Sequence, residues 1–265
     1  MEFYQYPFSS VFKNQLSLFL NGWKGADCFI GVDPVNCYVG LWLKRFGRVK
    51  KLVLYQIDYQ EKRFPNRLKN WVYHHFLKAS VKGADEVWTM SRRMMRQLGR
   101  GIVVPTGYSE SELPAYQKPL FDFVLAGSVS KEKGADMALE ALPSNASMLL
   151  VSGIPCHKEM LETIAEGRVG LATYHHGLAD YGDPGRVKEY LALGMPVIMT
   201  DIPEFAETVR REEAGLVVPE TVGDIRRAMK DFRDPLFYQH MKENAARLGK
   251  RYRYDAMFGE AIAKL

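Results

Sequence analysis

Between Arg186 and Asp201 the chain reads Arg-Val-Lys-Glu-Tyr-Leu-Ala-Leu-Gly-Met-Pro-Val-Ile-Met-Thr-Asp, and few folds accommodate that order. Arg186 to Leu193 has the composition of a short helix, Gly194 suits a left-handed C-cap and Pro196 forbids continuation. Val197 to Thr200 then reads as a buried strand, with Asp201-Ile-Pro203 turning out of it. A helix that stops and feeds directly into an apolar strand is the repeating unit of a layered α/β protein.

The same rhythm runs through the rest of the chain. Asp27 to Val32 and Lys51 to Ile57 are apolar runs separated by a helical candidate, Cys37 to Phe46. Arg67 to Lys82 reads as a helix, Glu86 to Met90 as a strand, and Ser91 as the N-cap of Arg92 to Leu98. Ile102 to Val104 and Pro105-Thr-Gly107 close this portion. Further on, strands near 122–126, 147–151, 168–172, 197–200 and 215–218 alternate with helices near 134–142, 157–165, 186–193, 204–211 and 221–231. Such alternation implies parallel sheets with ligand-binding loops at the carboxyl ends of the strands. We expect a first domain over 1–107, a linker over 108–119, a second and more complete domain over 120–234, and a helical return segment over 235–265.

With 265 residues the chain is long enough for two domains, and its 47% apolar and 25% charged content is ordinary for a globular protein. Cys28, Cys37 and Cys156 are odd in number and widely spaced, which favours a reducing, cytoplasmic setting over a disulfide-built fold. Lys13, Asn14 and Gln15 interrupt the apolar stretch from Phe8 to Leu20, and no run is long enough to span a membrane. The net charge is only +5, but Lys44–Lys51, Lys62–Lys69 and Arg92–Arg100 concentrate cations in the first third, interleaved with Trp23, Trp42, Phe64, Trp71, Tyr73 and Phe76. That face is either merely solvated or in peripheral contact with an anionic membrane at its inner face. No nucleic-acid recognition motif accompanies it, so no nucleic-acid partner is expected.

Two turns look like walls of one anion site. Phe121 to Ala126 reads as a strand, Ala135 to Leu142 as a helix, and the turn between them is Gly127-Ser-Val-Ser-Lys-Glu-Lys-Gly134. Its amides can face a phosphate while Lys131 or Lys133 adds a mobile charge, although the pattern is not a Walker loop. An ordinary turn with exposed lysines is the alternative. On the second wall Glu189 can accept both hydrogens of a sugar diol, and Arg186 can pair with it or with a phosphate; a solvated surface pair is the plainer alternative. Asp58, in Gln56-Ile-Asp-Tyr59, follows a strand and faces either an acceptor or its own turn. His74-His75 and His175-His176 are adjacent pairs, not spaced ligand sets, so with His157 and His240 they read as surface or packing residues. No Asp-x-Asp occurs, and no essential metal is expected.

These pieces together resemble the retaining, metal-independent glycosyltransferases with two Rossmann-like domains, the GT-B type numbered family four. The likeness rests on Asp85-Glu-Val-Trp-Thr-Met-Ser91, Gly127 to Gly134, Arg186 to Val197, and Glu207 through Ala214-Gly-Leu-Val-Val218, within roughly residues 25–260. It implies an α/β fold of two Rossmann-like domains with parallel sheets, the N-terminal one abbreviated and C-terminal helices packing back on it. The family places an arginine directly after the first glycine and a lysine five positions later against the donor diphosphate. Ser128 and Lys133 stand there, so the lysine role carries over and the arginine role does not. Of the family's two glutamates eight positions apart, Glu189 matches the second, the ribose ligand, while Tyr181 replaces the first. Gly182 and Gly185 can still offer backbone amides.

The resemblance implies transfer of a sugar from a nucleoside diphosphate to a hydroxyl of a glycan or lipid-linked acceptor, with retention and no cofactor. Lys133, Arg186 and Asp58 are the expected catalytic residues; Gly127, Ser128, Lys133, Gly182, Gly185, Arg186 and Glu189 are the expected donor-binding set. Two rivals share the architecture: a nucleotide-sugar-binding protein without transfer activity, completed by a second copy or another subunit, and a sugar-nucleotide epimerase. In the family a strand and glycine-rich loop precede the equivalent of Asp27, and residues 1–26 stand in their place.

Overall fold

A computed structural model describes residues 11–115, 117–127, 134–177 and 179–265. The chain forms two compact units, residues 1–104 with Leu265, and residues 105–264.

The first unit is built from α1 (Val11–Gly22), β1 (Ala26–Val32), α2 (Asp33–Arg45), β2 (Val49–Gln56), α3 (Arg67–Gly83), β3 (Glu86–Thr89), α4 (Arg92–Leu98) and β4 (Ile102–Val103). Its four strands are all parallel, in the order β1-β2-β3-β4. Right-handed crossovers that always step the same way put successive helices on one face. Accordingly α2 and α3 pack side by side, with the Tyr38 and Phe76 rings 4.6 Å apart edge to face. Close approach of α2 to β1 depends on Gly31, where a Cβ would lie 2.4 Å from the Cys37 Cα. Asn66 caps α3 by accepting from the Leu68 and Lys69 amides, and Ser91 caps α4 through the Met94 amide at 3.1 Å.

The second unit contains β5 (Phe121–Ala126), α5 (Ala135–Ala141), β6 (Met148–Val151), α6 (His157–Ile164), β7 (Gly167–Ala172), α7 (Gly185–Ala192), β8 (Val197–Thr200), α8 (Phe205–Arg211), β9 (Gly215–Val218), α9 (Val222–Asp231), α10 (Pro235–Gly249) and α11 (Tyr254–Ile262). Its parallel sheet runs β6-β5-β7-β8-β9. Strands buried on both faces account for the continuous apolar runs. Val124, Ala172, Val197 and Met199 face a core with Val187, Tyr190, Leu191, Val209 and Leu248, whereas Phe123, Leu125, Val169, Leu171 and Ile198 face Met137, Ala138, Ile225, Met229 and Phe232. Helices therefore cover both sides, the doubly wound arrangement of a Rossmann-like domain. Helix α10 lies against α7 so closely that a Cβ on Gly249 would meet the Leu191 carbonyl oxygen at 2.4 Å.

Two elements differ from the sequence expectation. Helix α2 starts at Asp33, ahead of the expected Cys37, because Pro34 occupies its first turn, where a missing N–H costs nothing. Helix α1 spans the stretch that Lys13, Asn14 and Gln15 interrupt. Among the described residues no helix is long and apolar enough to cross a membrane.

Candidate functional site

Strand order locates the crevice. From β5 the chain moves outward to β6 and then returns to the other side of β5 as β7, so the connections after β5 and β7 diverge at their carboxyl ends. In open parallel sheets, ligands bind at such a switch point. The turn after β5 begins at Gly127, whose φ of 127° is open to glycine, and ends at Gly134, with φ 69°. Gly134 is pressed onto β7: a Cβ there would sit 1.3 Å from the Thr173 carbonyl oxygen, and the Thr173 hydroxyl donates to the Gly134 carbonyl at 2.8 Å. Ser128, Lys131 and Lys133 lie outside the described residues.

Helix α7 forms the other wall and is held by its tyrosine. The buried Tyr190 hydroxyl accepts the Ala126 amide at 2.8 Å, immediately before Gly127, and its ring fills the space left by Gly170. Burial keeps that phenol neutral, with its pKa raised well beyond the ordinary range. One residue before it, Glu189 is only 12% exposed and pairs with Arg186 one turn earlier. Its other oxygen accepts from His157 Nε2 at 3.0 Å, and His157 Nδ1 meets Glu112 at 2.8 Å. Burial works against protonation of His157, but its hydrogen bonds to Glu189 and Glu112 prevail and raise its pKa. Among the described residues the buried Nε of Arg186 has no hydrogen-bond partner, a donor left over after the pair with Glu189 is made. Nearby, burial pushes the Tyr174 phenol up to about 12.

The connection into α7 is anchored from below. Asp183 accepts both the amide and the hydroxyl of Thr106 at 2.7 Å each and pairs with Lys188, whose side chain is wholly buried. The Lys188 ammonium lies 4.9 Å from the centres of both the Phe205 and Tyr252 rings. Desolvation lowers the Lys188 pKa, against the opposing pull of Asp183. Tyr181, Gly182 and Gly185 are half-buried along this connection. At the same edge His175 bridges Glu220, beyond β9, and Asp136 in α5 at 3.1 Å.

Asp58 belongs to the first unit, beyond β2, where its carboxylate pairs with Arg63 at 2.8 Å. The Arg63 guanidinium lies over the Tyr73 ring at 5.0 Å. The Gln56 amide, on a wholly buried side chain, donates to the Tyr73 hydroxyl at 3.2 Å and approaches Asp33 at 3.4 Å. Asp33 has a φ of 68°, unusual for any residue but glycine, and burial raises its carboxyl to about 6, with Arg63 opposing and Asp58 assisting.

The structure thus brings Arg186 and Glu189 together and keeps Gly127 with them at one crevice of the second unit; Asp58 belongs to a polar cluster of the first unit. Sequence reasoning missed His157, Glu112, Lys188, Asp183 and Asp33. Only Asp33 carried a signal, an acid-proline pair directly after an apolar run. Among the described residues no group of three or more His, Cys, Asp or Glu side chains could hold a metal ion.

No protein-family model matches this chain, and no curated protein matches it significantly. Solved structures do resemble it. Sucrose-phosphate synthase from Thermosynechococcus elongatus superposes with a TM-score of 0.76 at 15% identity, over 98% of this chain and 80% of its own. HepE of Anabaena, in complex with UDP, gives 0.73 at 15% identity, over 96% and 82%. WaaG, a glycosyltransferase involved in lipopolysaccharide biosynthesis, gives 0.60 at 16%, over 86% and 80%. At such identities the likeness establishes the fold, the GT-B type with two Rossmann-like domains.

Proposed function

We propose that this chain is a retaining, metal-independent glycosyltransferase, of the kind grouped in family four, that moves a sugar from a nucleoside diphosphate to a hydroxyl acceptor. One observation carries the reading: at the switch point of the second sheet, a rigid helix presents Glu189 beside an Arg186 whose buried Nε has no partner among the described residues. A buried guanidinium donor without an acceptor is costly unless an anionic ligand supplies one.

In this reading negative charge grows on the departing diphosphate as the bond to the anomeric carbon breaks. Arg186, Lys133 and the amides of the turn between Gly127 and Gly134, Ser128 among them, stabilise that charge, and Gly182 and Gly185 add backbone donors. Glu189 takes a ribose diol and acts as no base. His157 and Glu112 hold its carboxylate in place. Asp58, with Arg63, is assigned to the acceptor hydroxyl.

A second reading, donor binding without transfer, is favoured by Ser128 and Tyr181, which depart from the family pattern. Calorimetry with UDP, GDP and their sugars, with and without magnesium, tests both readings on the parent, Arg186→Ala and Glu189→Ala. Metal-independent binding weakened on the order of 10–100-fold by each change supports the site. Slow release of free sugar from the bound donor then favours transfer, its absence favours the binding-only reading, and no binding to any nucleotide overturns both.

A further inference from the structure

Among the described residues the first unit carries an exposed apolar ridge. Leu16 and Leu20 of α1 are 50% and 61% exposed, Trp23 after it 40%, and Trp42 and Phe46 at the end of α2 43% and 52%. These are not scattered residues. Phe19, Trp23 and Phe46 form a triangle with ring centres 5.4–6.4 Å apart, and Trp42 stacks on Phe46 at 6.2 Å. Contiguous exposed aromatic surface of this kind marks an interaction site.

The charges around it say what kind. Arg48 lies over the Trp23 ring at 4.7 Å and Arg45 over Trp42 at 5.9 Å, so two guanidinium groups sit at the depth of the indoles. Among the described residues Arg45, Arg48 and Lys24 form no salt bridge. From Val11 to Arg48 the only acids are Asp27 and Asp33. Asp27 is taken by Lys50 at 2.7 Å, and Asp33 lies at the far end of α2 from Trp42. A second copy of this face would oppose cation to cation. A plane of anionic headgroups over an apolar interior matches both components at once: leucines and indole rings enter the acyl boundary while the arginines reach phosphates.

We propose that the ridge formed by Leu16, Leu20, Trp23, Trp42 and Phe46, with Arg45 and Arg48, docks this protein on an anionic lipid bilayer. Each cation at the surface contributes on the order of fivefold in partitioning. The inference does not depend on the glycosyltransferase reading, since its test uses no sugar.

The full chain is sedimented with vesicles of phosphatidylcholine alone and with vesicles containing phosphatidylglycerol, at low and high salt. The expected result is association with the anionic vesicles, a blue shift in tryptophan emission and loss of binding in salt. Leu20→Ser and Arg45→Glu should each weaken partitioning about fivefold or more while leaving the thermal midpoint unchanged. Leu236→Ser, at an 82% exposed leucine of the second unit, serves as the control and should change nothing. Absence of binding, equal binding to both vesicle types, or an equal loss in the Leu236 variant overturns the proposal, as does a solution dimer that Leu20→Ser abolishes.

Discussion

Lys188 and Asp183 form an ion pair with side chains 0% and 5% exposed, closed above by Phe205 and Tyr252 and below by Thr106. Its partners come from three separate segments of the second unit, and it fixes the connection that leads into α7. Removing one member of a buried pair strands the other. Asp183→Ala should therefore cost about 3–5 kcal/mol, with Lys188→Met milder because Asp183 keeps both Thr106 donors. Urea denaturation of the two variants reads the order directly; equal, small losses would mean the pair is not structural.

The two glycines that bound the turn after β5 should respond differently to alanine. At Gly134 a Cβ collides with the Thr173 carbonyl, and the backbone is left-handed as well. At Gly127 nothing among the described residues stands within 4 Å and only the φ of 127° is unfavourable. Gly134→Ala should destabilise by more than about 2 kcal/mol and abolish UDP binding, whereas Gly127→Ala should lose about 1–2 kcal/mol. Thermal melts and UDP titrations of both variants check this, and equal behaviour would contradict the clamp.

His157 predicts a pH dependence. Its folded pKa lies above the unfolded value of 6.5, so its bonds to Glu112 and Glu189 stabilise fully below 6.5 and fade as pH rises through the folded value. The pair is half-exposed, so the amplitude stays below about 1 kcal/mol. His157→Gln should flatten the stability profile in that window and loosen Glu189, seen as weaker nucleotide binding at pH 6 than in the parent. An unchanged profile would remove His157 from the site.

Asp33 should shift stability in the same direction with pH, but over a lower window and as a penalty on its charged form. Its carboxyl titrates near 6 when folded and 3.8 when unfolded, so the folded state holds the extra proton between those values and stability falls as pH rises through them. Above 6 the penalty is complete. Asp33→Gly removes both the buried charge and the left-handed strain, and should stabilise by roughly 1–3 kcal/mol at pH 7. The gain should shrink toward pH 4. Denaturation at both pH values tests it, and a destabilised variant at pH 7 would show that Asp33 is held by contacts stronger than its strain.

The fold was readable because strands covered on both faces are written as unbroken apolar runs, and because Ser91, Gly194 and Pro196 mark element ends by local chemistry. Arg186 and Glu189 were readable for the same reason, being one helical turn apart. His157 was not, since its partners lie 45 and 32 positions away and nothing local distinguishes it from a surface histidine. Thr106 and Asp183 are 77 positions apart. Helix α1 escaped because its polar residues break the apolar run, while its exposed leucines leave no clean buried stripe to recognise.

The order of the strands also fixes a sequence of events during synthesis. In the first sheet each new strand adds to the edge left by the one before it, so pairing can keep pace with the emerging chain. In the second sheet β5 gains β6 first and keeps its other edge bare until β7 has been made. The crevice between Gly127 and α7 does not exist before that docking step. A ribosome stalled between β6 and β7 would therefore carry a nascent chain with an open strand edge on β5 and no crevice beside Gly127.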